Sequence, residues 1–133
     1  MEESEKTKKV ILVIDDDPML LTLYKELFKN KGIAVRFAHD GSQGLDLIRY
    51  EKPDFVLLDI RMPKIDGMDV LKIMRKDQGM KDVPVGILTN YDYEEYREKT
   101  KGLDIVDFWV KTNVDPSALV KKVIEYISGK NKS

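Results

Sequence analysis

Short apolar runs alternate along the chain with longer segments in which apolar residues recur at helical spacing. The runs are apolar at nearly every position and rich in β-branched residues, which is typical of strands buried on both faces. They predict strands over residues 9–15, 33–38, 54–58, 83–88 and 105–110. The periodic segments between them predict helices that begin near residues 18, 41, 68, 92 and 116.

Strict alternation of strands and helices predicts parallel strands joined by right-handed crossovers. Five such units fit an α/β fold of the flavodoxin-like type, a doubly wound five-stranded parallel sheet of order 2-1-3-4-5 with five helices. A (β/α)₈ barrel is excluded because it needs eight units and about 250 residues.

Two helix starts carry the same signal, an aspartate followed by proline. Asp17-Pro18 and Asp115-Pro116 predict N-caps with proline in the first helical position. The fourth helix is unusual because Tyr91, Tyr93 and Tyr96 are its only large apolar side chains. Since exposed aromatic residues favour interfaces, we expect this helix to contact a partner.

Composition narrows the class of protein. The 133 residues favour one domain, which we expect over 9–128, with a flexible N-terminus at 1–8 and a tail at 129–133. The net charge of −1 gives no reason to expect binding to nucleic acid or to a membrane surface. The absence of cysteine excludes disulfides and thiolate chemistry, and the N-terminus lacks an apolar signal region, so we expect a cytoplasmic protein.

Polar side chains follow four of the predicted strands where each strand ends: the acidic run 15–17, then Asp59, Thr89 and Lys111. In a parallel sheet these ends meet at one edge, where open α/β sheets bind ligands. Carboxylates crowded there repel by several kcal/mol at an effective dielectric of about 20, so the fold needs a lysine, a bound cation or a raised pKa. Mg²⁺ fits because it prefers oxygen ligands and pairs with phosphate. Carboxylate, metal, lysine and hydroxyl are the groups that phosphoryl transfer to an aspartate requires.

These segments, in this order, resemble the receiver domain of two-component response regulators along almost the whole chain, from about Lys9 to Ser128. The residues that carry the resemblance are Val13-Ile14-Asp15-Asp16-Asp17-Pro18, Leu57-Leu58-Asp59-Ile60-Arg61-Met62-Pro63, Asp66-Gly67, Leu88-Thr89 and Val110-Lys111.

The resemblance implies a metal site and a phosphoacceptor. Asp59 would accept the phosphoryl group. Asp15, Asp16 and Asp59 would hold Mg²⁺, with Asp16 the more direct ligand of the first two and the backbone carbonyl of Arg61 completing the set.

The resemblance also implies a switch. Thr89 would hydrogen-bond the phosphoryl group and Lys111 would pair with its oxygens. Phe108 matches the aromatic residue that packs inward when the threonine moves toward the phosphate, a two-state element biased by local charge.

The chain departs from the family pattern beside the site. Thr112 stands where proline, often cis, is usual, and a trans Lys111–Thr112 bond is expected because a non-proline cis bond costs roughly 2.5–4 kcal/mol. Asn90 stands where a small residue is usual, which suggests slower dephosphorylation. Arg61 and Tyr91 flank the pocket mouth and are further candidates for tuning hydrolysis.

The leading hypothesis is a signalling receiver that is not an enzyme, either standing alone or cut from a larger protein. It would take phosphate from a histidine kinase or phosphotransferase and bind a downstream partner through its fourth helix, fifth strand and fifth helix, as a monomer or weak homodimer. One alternative is a haloacid-dehalogenase-like phosphatase that uses Asp15 and Asp17. Another is an interaction domain with the receiver fold that works without phosphate.

Overall fold

The computed structural model describes residues 8–62, 64–91 and 93–129. The five predicted strands are present as β1 (Val10–Ile14), β2 (Ala34–Ala38), β3 (Phe55–Leu58), β4 (Val85–Thr89) and β5 (Asp107–Val110). All pairs of neighbouring strands are parallel, and the order is β2-β1-β3-β4-β5. The predicted doubly wound fold and its strand order are confirmed.

The helices alternate with the strands as α1 (Pro18–Lys29), α2 (Gly41–Glu51), α3 (Gly67–Lys76), α4 (Tyr93–Thr100) and α5 (Pro116–Ile127). The two predicted N-caps are present. A carboxylate oxygen of Asp17 accepts the Met19 N–H at 3.0 Å, and one of Asp115 accepts the Ser117 N–H at 3.1 Å. Each cap satisfies a backbone donor that the first helical turn leaves without a partner. Within the described residues, no helix combines the length and the apolar content that crossing a bilayer requires.

The fourth strand begins two residues later than its apolar run predicts. The run includes Val83 and Pro84, whereas β4 starts at Val85. Proline has no N–H to donate to a sheet ladder. The Pro84 carbonyl nevertheless accepts the Val56 N–H at 2.9 Å, so the segment already lies beside β3 before regular pairing begins.

The sheet separates two apolar layers. Successive strand residues point to opposite faces, so Ile11 and Val13 pack toward α1 and α5 while Leu12 and Ile14 pack toward α2 and α3. All four are at most 1% exposed. Burying each such side chain stabilises the fold by roughly 1.5–3 kcal/mol. The two layers fix the register that aligns the carboxyl ends of the strands.

Arg75 on α3 fixes the opposite end of the sheet. Its guanidinium donates to the carbonyls of Leu103 at 2.7 Å and Asp104 at 3.0 Å in the α4–β5 loop. It also donates to those of Lys81 at 3.0 Å and Val83 at 2.9 Å in the α3–β4 loop. Burial lowers the pKa of the Arg75 side chain. One arginine therefore ties together the two loops that lead into β4 and β5.

Candidate functional site

The register of the central strands places Asp15 and Asp59 next to each other. Ile14 pairs with Leu58, so the residue that follows each strand lies at the same level of the sheet edge. The Asp59 N–H donates to the Ile14 carbonyl at 3.0 Å, which extends this alignment beyond the strands. The predicted convergence of the two carboxylates therefore follows directly from parallel pairing.

Thr89 and Lys111 reach the same edge through β4 and β5. Thr89 pairs with Val110, the last residue of β5, and the Lys111 N–H donates to the Thr89 carbonyl at 2.7 Å. The Lys111 ammonium lies 2.8 Å from a carboxylate oxygen of Asp15 and 3.4 Å from one of Asp59. One cation thus bridges the two acidic residues.

Three carboxylates form a compact oxygen cluster at this edge. Asp15, Asp16 and Asp59 each offer one oxygen, and these oxygens all lie within 4.8 Å of one another. Asp15 and Asp59 are 1% and 6% exposed, whereas Asp16 is exposed. Hard oxygen donors, an excess of negative charge over Lys111 and one open side fit a Mg²⁺ ion that keeps several waters.

Burial and crowding set the protonation of the cluster. Burial raises the pKa of Asp15, and hydrogen bonding to Lys111 opposes this only in part. The pKa of Asp59 is also raised, first by burial and then by the charge of Asp15. Burial lowers the pKa of Lys111, but its two carboxylate partners outweigh burial and the net shift is upward. Another positive charge at this edge would therefore stabilise the ionised forms of Asp15 and Asp59.

The Thr89 hydroxyl is a buried polar group without a hydrogen bond. Thr89 is fully buried, and its Oγ1 has no partner of hydrogen-bond geometry in the described structure. The hydroxyl does lie close enough to Asp59 to lower the pKa of that carboxyl somewhat. A buried hydroxyl left in this state costs free energy that a new acceptor beside Asp59 would recover.

The sequence matches one protein family over most of its length. The family model described as the response regulator receiver domain matches residues 11–124, which is most of the chain. The chain belongs to the receiver domain family of response regulators. The members of this family are the receiver domains of two-component systems, and membership implies phosphorylation on an aspartate. The phosphatase alternative is not favoured.

Solved receiver domains share both the fold and part of the sequence. A CheY-like response regulator receiver domain protein from Methanospirillum hungatei JF-1 is 25% identical, with a TM-score of 0.84 over 95% of this chain and 98% of that one. The receiver domain of Francisella response regulator 1452 is 30% identical, with a TM-score of 0.82 over 93% of this chain and all of that one.

A full-length relative is matched only in part. The response regulator MprA of Mycobacterium avium (strain 104) is 40% identical over 58 residues, which are 44% of this chain. The matched segment spans a quarter of the length of that curated relative.

The third aspartate of the acidic run lies apart from the oxygen cluster. The exposed Asp17 side chain caps α1, and the Asp17 N–H donates to a carboxylate oxygen of Asp15 at 2.9 Å. Asp17 therefore acts as the helix cap that its position before Pro18 predicts.

The two residues that depart from the family pattern directly follow Thr89 and Lys111 in the sequence. No peptide bond in the described residues is cis, so the expected trans bond before Thr112 is confirmed. Asn90 is exposed and directly follows the buried Thr89. Phe108 is half-buried, and Tyr93 packs edge-on against it with ring centroids 5.1 Å apart.

No role was predicted for Gly67 from the sequence, and Tyr96 was associated with a partner contact of the fourth helix, whereas the structure buries Tyr96. Gly67 begins α3, and an added Cβ there would lie 2.0 Å from the Asp59 carbonyl oxygen. Tyr96 on α4 is 4% exposed, and its hydroxyl accepts a hydrogen bond from the Arg61 side chain. The Asp66-Gly67 pair and the tyrosine spacing were visible signals, but neither shows which distant residue it contacts.

Proposed function

We propose that Asp59 accepts a phosphoryl group from a phosphorylated histidine of a kinase or phosphotransferase. An oxygen of the Asp59 carboxylate forms a bond to phosphorus while the bond from phosphorus to the donor nitrogen breaks. The electron pair of that bond stays with the imidazole, which leaves. The observation that carries this proposal is the convergence at one edge of the sheet of Asp59, Lys111 and a Thr89 hydroxyl that has no hydrogen-bond partner among the described residues.

The remaining cluster residues fit a metal site. Carboxylates of Asp15, Asp16 and Asp59 would hold Mg²⁺ together with the backbone carbonyl of Arg61. When bound, the ion would neutralise charge that develops on the transferred phosphoryl group. Lys111 would pair with the phosphoryl oxygens, and Thr89 would donate its hydroxyl to one of them.

Phosphorylation would change the surface formed by α4, β5 and α5, which we propose as the contact for a downstream partner. Movement of Thr89 toward the phosphoryl group would open space for Phe108, whose ring Tyr93 covers. Tyr93 is among the exposed large apolar residues of the domain.

Asn90 beside the site is proposed to slow phosphate loss. On this account the domain takes part in its own phosphorylation and dephosphorylation but acts on no separate substrate.

Mass spectrometry after treatment with acetyl phosphate and Mg²⁺ tests the central step. We expect one added phosphoryl group, mapped to Asp59, and none in an Asp59→Asn variant or when the metal is chelated. A label on Asp15 instead would support the phosphatase alternative. An unmodified wild-type protein in the presence of Mg²⁺ would contradict phosphoacceptor function.

A further inference from the structure

Arg61 connects the pocket loop to α4 through two tyrosines. Its Nε donates to the Tyr96 hydroxyl at 3.4 Å, and its guanidinium carbon lies 4.5 Å from the centroid of the Tyr91 ring. The two tyrosine rings meet edge-on, with centroids 6.2 Å apart. We call Arg61, Tyr91 and Tyr96 the arginine–tyrosine latch. It joins the β3–α3 loop, which follows Asp59, to the start of α4.

Arg61 is the part of the latch that is free to move. Tyr96 is buried, and Tyr91 is half-buried against the same core layer. The Arg61 side chain is exposed, and its hydrogen bond to Tyr96 is longer than the usual range for an N–H donor. Cation–π contacts at exposed sites are weak. The latch is therefore an arrangement that a stronger acceptor would displace.

Phosphorylation creates such an acceptor two residues away in sequence. A phosphoryl group adds negative charge and three strong acceptor oxygens at Asp59. Lys111 is already shared between Asp15 and Asp59. A guanidinium binds phosphate oxygens with two parallel hydrogen bonds, which are shorter and stronger than a contact with a phenol hydroxyl.

We propose that Arg61 is a second sensor of the phosphoryl group. Its guanidinium moves away from Tyr91 and Tyr96 to pair with the phosphoryl oxygens, and this movement releases the start of α4. This proposal rests on the proposed function, since it requires phosphorylation at Asp59. Arg61 acts here through its side chain, which contacts the phosphoryl group directly. Its backbone carbonyl, the proposed metal ligand, stays in place when the side chain is replaced.

Nuclear magnetic resonance with beryllium fluoride, a reversible phosphoryl analogue, tests the proposal. The Arg61 Nε–H signal, assigned by its loss in Arg61→Lys, should show proximity to the Tyr91 ring in the Mg²⁺-bound protein. That proximity should disappear when beryllium fluoride binds. Persistence of the contact in the bound form would overturn the proposal.

The affinity for beryllium fluoride gives an independent measure. Tyr91→Leu removes the latch contact and should tighten binding about 2- to 5-fold, the equivalent of one exposed cation–π contact. In an Arg61→Gln background the same change should have no effect, because no guanidinium remains to be released. Tyr50→Leu is the matched control, since Tyr50 is 85% exposed on α2. Tightening that persists without Arg61 would contradict the proposal.

The two proposals fail in different ways. If acetyl phosphate does not label Asp59 in the wild-type protein, the proposed function fails and the latch proposal fails with it. If Asp59 is labelled but the Arg61–Tyr91 contact persists, only the latch proposal fails.

Discussion

At the scale of single residues, Lys111 balances two acids that the fold has buried. Its ammonium contacts both Asp15 and Asp59, and its side chain is itself only 12% exposed. Removing one partner of a buried ionic group is strongly destabilising because the remaining charges lose their compensation. The proposed phosphoryl site therefore also depends on Lys111 for its stability.

We expect Lys111→Met to lower the free energy of unfolding by about 3 kcal/mol at neutral pH without Mg²⁺. Mg²⁺ should restore part of the loss, because the ion replaces the missing positive charge. Urea denaturation with and without the metal measures both effects. Lys101→Met, which breaks a largely exposed pair with Glu98, is the matched control and should cost less than about 1 kcal/mol. Equal losses in the two variants would contradict this role for Lys111.

The raised pKa values of Asp15 and Asp59 predict how stability depends on pH in the metal-free protein. Between an acid's ordinary pKa of 3.8 and its raised folded value, the folded state binds more protons than the unfolded state. Stability from these two groups therefore rises as the pH falls through that window. Lys111, whose pKa is raised above 10.5, contributes stability that is lost only at higher pH.

Denaturation of wild type and of an Asp15→Asn, Asp59→Asn double variant across acidic to neutral pH isolates this contribution. The stability of the wild type relative to the variant should increase on acidification. A difference that is constant with pH, or that decreases on acidification, would show that the carboxylates are not destabilised by burial. All samples need a chelator, since Mg²⁺ would favour the ionised forms.

At the scale of elements, the start of α3 is packed directly against the end of β3. The Gly67 N–H donates to the Ile60 carbonyl at 2.6 Å, and the space beside its Cα is filled by the Asp59 backbone. A side chain at this position would have to push the loop that carries Asp59 and the Arg61 carbonyl. The helix therefore positions the site although none of its side chains is proposed as a ligand.

Gly67→Ala should lower the free energy of unfolding by about 1–3 kcal/mol, as overpacking typically does. It should also weaken Mg²⁺ binding, because the displaced loop carries two of the proposed ligands. Isothermal titration calorimetry and urea denaturation measure the two effects. The control is Gly79→Ala, whose added Cβ would meet only an Asp77 side-chain oxygen, at 3.3 Å. Normal Mg²⁺ affinity in Gly67→Ala would show that this close contact does not position the site.

The sequence predicted the elements and the strand-end residues because both depend on short-range patterns. Apolar runs, Asp-Pro caps and the polar residue after each run are all local. The latch and the Gly67 contact were not predictable in this way. Arg61 and Tyr96 are 35 positions apart, and nothing local indicates which tyrosine an exposed arginine will contact. Pro84 was a signal for the later start of β4, because proline cannot donate to a sheet ladder. The apolar pattern alone placed the start of the strand at residue 83.

At the scale of the whole molecule, stability comes from two apolar layers whose members all lie within the predicted domain. The buried members run from Ile11 to Val123. Lys9 marks the start of sheet contacts, since its carbonyl accepts the Ala34 N–H at 3.1 Å. We therefore propose that the domain extends over the predicted residues 9–128. The Lys9 sheet contact and the extent of the two apolar layers support these limits.

A fragment of residues 9–128 should unfold cooperatively, with a free energy of unfolding within about 0.5 kcal/mol of the full chain, the usual range for changes away from the core. Its affinity for Mg²⁺ should also be unchanged. Calorimetry and urea denaturation of the two chains provide the comparison. A clear loss of stability in the fragment would show that residues outside these limits contribute to the domain.

The hydrogen bonds of Arg75 have a consequence for how α4 can respond to the site. Four carbonyl contacts hold the loops around β4 and β5, including the segment directly after α4, whereas the start of α4 is held by side-chain contacts near the pocket. We expect a helix restrained so unequally to pivot about its carboxyl end instead of translating. The displacement should then be largest at Tyr93 and smallest near Thr100. A partner that distinguishes the two states of this domain would need to contact the first turn of the helix, and one bound only to the last turn would sense no difference.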